Sequence, residues 1–149
     1  MIAQYDFATP AYDEAVRLRD AVLRRPLGLS IADDDLTQEF KQVHLGVWQQ
    51  GRLVATASLV PNGTSLKMRQ VAVAEEARGQ GVGKALTKAC EAYAQRTGVA
   101  RLYCHARLTA KPFYIQCGWQ PVGEQFEEVG IPHVVCEASL SASKPQTKS

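Results

Sequence analysis

Residues 76–86 read EARGQGVGKAL, with glycines at 79, 81 and 83 set between Arg78 and Lys84 ahead of an apolar run. Glycine-rich turns that open a helix commonly hold phosphate, because the backbone can approach the ligand closely and the first N–H groups of the helix point at it. The nucleoside-triphosphate loop needs glycine five positions before the Gly-Lys pair and a hydroxyl after it. Here those positions are Arg78 and Ala85, so that template fails. The dinucleotide fingerprint needs a glycine at position 84 and an acidic residue about 20 positions on. Position 84 is lysine, and no Asp or Glu lies between Glu91 and Glu124.

On either side of the turn the chain changes period. Upstream, VHLGVWQ, RLVATASLV and SLKMRQVAVA are strand-like, rich in valine, leucine and aromatics. They are separated by Gln50-Gly51 and by Pro61-Asn62-Gly63, whose Asn-Gly is a strong hairpin signal. The middle of the chain therefore reads as an antiparallel meander. Downstream, Val82, Leu86, Ala89 and Tyr93 share one helical face, Lys84, Lys88, Glu91, Gln95 and Arg96 point away, and Gly98 ends the helix. RLYCHA is a strand, TAKPFYIQCG a short helix closed by Gly118, and WQPVGEQFEE and PHVVCEASL are two strands joined near Gly130 and Pro132. At the start, MIAQYDF alternates as a strand. Thr9-Pro10 caps a helix running to about Arg25, and Pro26 and Gly28 stop it. SIADDDLTQEFKQ reads as loop or a short helical turn. The pattern is a single α/β domain over 1–140, a mixed sheet with helices on its faces, followed by a small, polar, basic tail at 141–149 expected to be disordered.

The chain has 149 residues, 46% hydrophobic and 21% charged, which suits one globular core. A net charge of +2 argues for neither a nucleic-acid nor a membrane partner. No apolar run nears the roughly 18 residues of a membrane span. MIAQYDFATP has no basic and apolar leader pattern, so the cytoplasm is the expectation. Cys90, Cys104, Cys117 and Cys136 show no paired or zinc spacing and read as free, buried thiols, with no metal site.

The stretch MRQVAVAEEARGQGVGKALTKACEAYAQRTG, with Arg78-Gly79-Gln80-Gly81-Val82-Gly83 matching R/Q-x-x-G-x-G/A, resembles the acetyl-CoA site of the GNAT N-acetyltransferase superfamily. AKPFYIQCGW resembles the superfamily's A-x-x-F-Y-x-x-x-G-F/W element. CHARLTAKPFYIQCGWQPVGEQFEEVGIPHVVCE is similar to the small bacterial acetyltransferases labelled ElaA- or YjcF-like. It departs from that pattern at Arg107, where glutamine is usual, and at Trp119, where phenylalanine is usual. The first change alters charge near the expected pocket; the second is one that a core edge can absorb.

The resemblance implies a mostly antiparallel sheet with one splayed parallel pair, formed by the strands ending in QVAV and RLYCHA. It implies acetyl-CoA as cosubstrate, an amine acceptor as partner, and a dimer as a frequent assembly. Residues 78–84 (Arg78, Gly79, Gln80, Gly81, Val82, Gly83 and Lys84) would grip the diphosphate. The backbone of Val71, Ala72 and Val73 would bind the pantetheine amides and the acetyl oxygen, and His105 would line the pocket. Tyr114 would donate a proton to the departing sulfur, since a phenol stays protonated at neutral pH. For the general base His133, Glu127, Glu128 and His105 stay open, as does a water chain to a carboxylate. Glu127 and Glu128 are neighbours on a strand, so only one can face the site. Phe113 is expected in the core, and His44 is expected to be structural. Arg17, Arg19, Arg24 and Arg25 could bind an anion on the acceptor or form a solvated helix face. Asp33-Asp34-Asp35 could attract a cationic amine or be a solvated loop. The expected activity is acetyl transfer to a primary amine, of a small molecule or else of a protein or peptide. A non-catalytic module that senses coenzyme A is the reading from another class.

Overall fold

A computed structural model describes residues 1–140; the tail expected at 141–149 lies outside the described residues. The strands are β1 (Ile2–Tyr5), β2 (Val43–Gln49), β3 (Arg52–Asn62), β4 (Ser65–Val73), β5 (Arg101–Arg107), β6 (Gln120–Glu128) and β7 (Ile131–Glu137). The α-helices are α1 (Pro10–Arg19), α2 (Val82–Thr97) and α3 (Lys111–Gln116). Hydrogen bonding orders the seven strands β1-β2-β3-β4-β5-β7-β6. The β1–β2, β2–β3, β5–β7 and β6–β7 pairs are antiparallel, and β4–β5 is parallel. This is the mixed α/β sheet that the periodicities predict. Contacts group the chain into two compact units: 1–60 with 69–89, and 61–68 with the residues from Cys90 on.

In the first unit, α1 starts as its sequence dictates. The Thr9 hydroxyl accepts the Tyr12 N–H at 3.3 Å, Pro10 takes a position that needs no N–H, and Asp13 faces the helix dipole. The helical path does not end at Arg25. It widens over Asp20–Arg24, tightens over Arg25–Leu27 and stops at Gly28, whose φ of 73° admits a residue without Cβ. Tyr12 and Ala15 pack with Tyr5 and Leu53 in a small core under Phe7, Ala11, Val16, Leu18 and Trp48. Gly46 is required for another reason: a Cβ there would lie 2.6 Å from Leu53 Cδ1 and 3.0 Å from the Trp48 ring. SIADDDLTQEFKQ folds into two short 3₁₀ turns, Ile31–Asp33 and Glu39–Lys41.

The second unit contains the β3–β4 turn. β3 runs through Pro61 and Asn62, and the turn sits at Gly63 and Thr64, one step past the Asn-Gly pair the sequence points to. β4 then pairs with β5 from Ser65↔Arg101 to Met68↔Cys104. Leu66, Met68, Leu102 and Cys104 are buried there, each apolar side chain contributing about 1.5–3 kcal/mol. Within α2 the buried positions are Val82, Leu86, Thr87, Cys90 and Ala94, so the buried stripe is rotated from the one drawn through Tyr93, which is half-buried. Glu91 does not point away: it accepts the Trp119 indole N–H at 2.7 Å. The β6–β7 turn is Val129-Gly130, both with positive φ, and Pro132 lies inside β7.

Candidate active site

In the first unit, β4 carries a left-handed residue, Gln70, at φ 57°. A strand residue in that region is a bulge that redirects the chain after it. The redirected residues are Val71, Ala72 and Val73, of which Ala72 is buried and its neighbours half-buried. Nothing in the sequence marks Gln70, because glutamine has no preference for positive φ. Its side chain is held from a distance: Arg24 Nη2 donates to Gln70 Oε1 at 3.3 Å, and the same guanidinium pairs with Asp34 at 2.7 Å.

After β4 the chain makes a 3₁₀ turn over Glu75–Ala77 and enters the glycine turn. Gly79 and Gly81 adopt φ values of 79° and 76°. A Cβ at either would meet nothing within 4 Å, so the space beside both is open. Gln80 is tied down: its Nε2 donates to Glu76 O at 3.1 Å, and its Oε1 accepts from Gln49 Nε2 at 3.1 Å. Arg78 Nε donates to Val73 O at 3.3 Å, which folds the turn back onto the strand. Within α2 the Ala85 N–H bonds to Gly81 O at 3.0 Å. The N–H groups of Val82, Gly83 and Lys84, earlier in that first turn, have no intrahelical acceptor. These amides, two exposed glycines and the exposed cations of Arg78 and Lys84 suit a diphosphate.

The arginines and aspartates set aside for the acceptor are mostly engaged. Arg19 is buried against Glu39, Arg24 pairs with Asp34, and Arg25 with Asp20. Asp35 binds the N–H and hydroxyl of Thr37. Arg17 and Asp33 are exposed. His44 is fully enclosed, as expected of a structural histidine.

In the second unit, alternation along β5 sends chemistry to both faces of the sheet. Cys104 points to the face that also takes Cys136, its direct partner on β7. Tyr114 of α3 is buried on this side with its hydroxyl hydrogen-bonded to the Cys104 thiol. Burial, together with the neighbouring Cys104, Cys136 and Cys90, holds the phenol well above the ordinary tyrosine range, so it keeps its proton. Burial pushes the Cys90 and Cys104 thiols up to about 12, which leaves them inert. All four cysteines are buried. Trp119 is buried against Tyr114, with ring centroids 5.2 Å apart. Phe113 is half-buried beside it.

His105 points to the opposite face. Its Nδ1 lies 2.9 Å from Glu128 Oε1, and Glu128 Oε2 lies 3.9 Å from His133 Nε2. Phe126 joins them, edge-on to His105 at 5.0 Å and stacked on His133 at 5.9 Å. His133 Nδ1 lies 2.7 Å from the Ile131 carbonyl, which can only accept, so Nδ1 carries the proton and the neutral ring presents a lone pair at Nε2. Burial raises the Glu128 carboxyl, but the hydrogen bond and charge of His105, with Lys67 and His133, outweigh it and hold the group below its ordinary range. The structure thus brings His105, Glu128 and His133 together. Glu127 pairs with Pro132, is exposed, and belongs to the other face. Among the described residues, no group of three or more His, Cys, Asp or Glu is arranged for a metal ion.

The first unit thus carries a glycine turn shaped for diphosphate, and the second a buried phenol on α3 and imidazoles on the other face of β5 and β7. Residues 16–140 match the acetyltransferase (GNAT) domain family, and the chain belongs to that family. It is 34% identical to the uncharacterized N-acetyltransferase YitI of Bacillus subtilis over 109 residues, 68% of this chain and 73% of that one. It is 33% identical to ElaA of Escherichia coli over 108 residues, 70% and 69% of the two chains. The crystal structure of a putative N-acetyltransferase from Lactobacillus plantarum superposes with a TM-score of 0.81 at 26% identity, covering 93% of this chain and 98% of that one. The chain is an acetyltransferase of the GNAT type, and the likeness to ElaA read from residues 104–137 holds. No helix among the described residues is long and apolar enough to cross a membrane.

Proposed function

We propose that this chain is a single catalytic domain that transfers acetyl from acetyl-CoA to a primary amine of a small molecule, by direct attack in a ternary complex. The observation that carries the reading is the turn at Gly79 and Gly81: positive φ, open space, and helix amides without intrahelical partners. Residues 78–84 would hold the diphosphate, and the backbone of Val71, Ala72 and Val73, redirected by the bulge at Gln70, would hold the pantetheine arm. The cosubstrate supplies an activated acyl thioester. The protein's tasks are to take a proton from the amine and to return one to sulfur.

His133 Nε2 is the base in this reading. Its lone pair is fixed by the Nδ1–H···O=C bond to Ile131, and Glu128 stabilises the imidazolium that forms. His105 holds Glu128 in place at 2.9 Å. Tyr114 is the acid: its raised pKa guarantees the proton, and the Cys104 thiol orients its hydroxyl. A cytoplasmic site of action belongs to the same reading.

A panel of primary amines with a thiol reporter for released coenzyme A tests this. Wild type should release thiol with at least one small amine. Tyr114→Phe should lower turnover by about 10²-fold or more and leave acetyl-CoA affinity near wild type. Gly81→Glu should abolish cofactor binding, since a side chain at φ 76° brings both strain and negative charge to the diphosphate site. Cofactor binding without release to any small amine or peptide would replace the enzyme with a coenzyme A sensor. Release to peptides alone would move the acceptor to the protein class.

A further inference from the structure

Arg107 ends β5 on the same face as His105 and sits directly opposite His133 of β7. Its environment differs from that of the chain's other half-buried or buried arginines. Arg19 has Glu39, Arg24 has Asp34, and Arg101 has Glu137, with Arg101 also stacked at 4.1 Å over Tyr103. Arg107 is half-buried, yet among the described residues its guanidinium has no hydrogen-bond or ion-pair partner. A partly desolvated guanidinium with its fork of donors free is suited to a planar anion.

The surroundings fix which end of a ligand goes where. Glu128 Oε2 and the His133 Nε2 lone pair face each other at 3.9 Å, a gap that one ammonium nitrogen can bridge by donating to both. With strands ordered β5-β7-β6, His133 stands between Arg107 on one side and Phe126 on the other, with Glu128 two residues further along β6. Glu128 reaches across β7 to His105 at 2.9 Å, so its carboxylate lies towards the strand that carries Arg107. Phe126, at 5.0 Å from His105 and 5.9 Å from His133, supplies an apolar ring beside both imidazoles.

We propose that Arg107 binds a carboxylate on the acceptor, so that the preferred substrates are primary amines that also bear an acid group, amino acids being the simplest class. The proposal rests on the acetyl-transfer reading for the meaning of "acceptor", but its test does not. Calorimetric titration in the presence of coenzyme A would compare glycine, 4-aminobutyrate, leucine and phenylalanine with their decarboxylated amines, methylamine, propylamine, isopentylamine and phenethylamine. At least one acid should bind tenfold or more tighter than its paired amine. Arg107→Gln should erase that difference, Arg107→Lys should keep part of it, and thermal melting should show both variants folded. Acetyl-CoA affinity should not change. Amines binding as well as acids in every pair, a preference that survives Arg107→Gln, or a variant that loses acetyl-CoA instead would each overturn the assignment. If acids bind through Arg107 but no thiol is released, the transfer reading fails and the carboxylate site stands.

Discussion

Two polar clusters, one in each unit, use nearly the same side chains to opposite ends. In the first, Arg19 grips Glu39 through both carboxylate oxygens at 2.8 Å, and Tyr12 donates to the same carboxylate at 2.7 Å. His44 donates from Nε2 to the Glu39 carbonyl at 2.9 Å and accepts at Nδ1 from Ser58 at 3.0 Å. In the second, His105, Glu128 and His133 meet around Phe126. The difference is access. The Glu39 side chain is 8% exposed and nearly all of its network is saturated, only Arg19 Nε lacking a partner. The Glu128 side chain is 43% exposed; His133, with a side chain only 8% exposed, is as enclosed as Glu39 but keeps a lone pair unspent. A histidine–carboxylate pair is therefore a brace when every donor and acceptor is used, and a reagent when one is left over.

The widest gap between the two clusters should appear in stability. Glu39→Gln removes one charge of a buried pair and strands Arg19, which costs about 3–5 kcal/mol. Glu128→Gln, at a half-exposed position, should cost less than about 1 kcal/mol. Urea unfolding at neutral pH measures both. Equal losses would mean that the second cluster is as structural as the first.

Turnover should show the reverse. His133→Asn keeps a donor for the Ile131 carbonyl and deletes the lone pair at Nε2. Turnover should fall by about 10²-fold, equivalent to about 2.7 kcal/mol of barrier, with the fold intact. His44→Asn should leave the turnover of the folded fraction unchanged. A His133→Asn enzyme of normal rate would transfer the base role to water or to Glu128 alone.

That contrast also explains what the sequence makes legible. The strands, the glycine turn and Tyr114 announce themselves through local period and spacing, so fold and family can be read early. His105, Glu128 and His133 can be named as candidates, and alternation already requires that Glu127 and Glu128 face opposite ways. Their convergence cannot be read, because it depends on the register His105↔Val135 and Phe126↔His133 across strands that are not all adjacent in the chain. The arginines of α1 mislead for the same reason: the helical pattern does not reveal that Glu39, twenty residues on, turns inward to Arg19.

Acid should separate the clusters by a smaller margin. Burial holds His44 below the ordinary histidine range, and Arg19 and Tyr12 hold Glu39 below the carboxylate range against the opposing pull of burial. Both groups bind protons more readily in the unfolded chain. Their contribution is thus complete above the unfolded histidine pKa near 6.5 and declines as pH falls through the folded values. Unfolding free energy should fall between pH 7 and 5, and His44→Gln should flatten that part of the curve. An unchanged slope would remove His44 from the linkage.

The smallest effect concerns a contact that belongs to neither extreme. Arg24 and Asp34 are paired with side chains 20% and 23% exposed, and Arg24 spends one further donor on Gln70 at 3.3 Å. Gln70→Gly and Gln70→Ala both delete that long hydrogen bond, but only glycine relieves a left-handed φ of 57°. Left-handed backbone costs a residue with Cβ about 1–2 kcal/mol, so the glycine variant should be more stable than the alanine variant by about 1 kcal/mol. If Arg24 also serves to hold the bulge that aims Val71, Ala72 and Val73, both variants should raise the KM for acetyl-CoA with little change in kcat. An alanine variant as stable as the glycine variant would show that the bulge relaxes once Arg24 lets go, which would make the guanidinium the cause of the bent strand and not merely its neighbour.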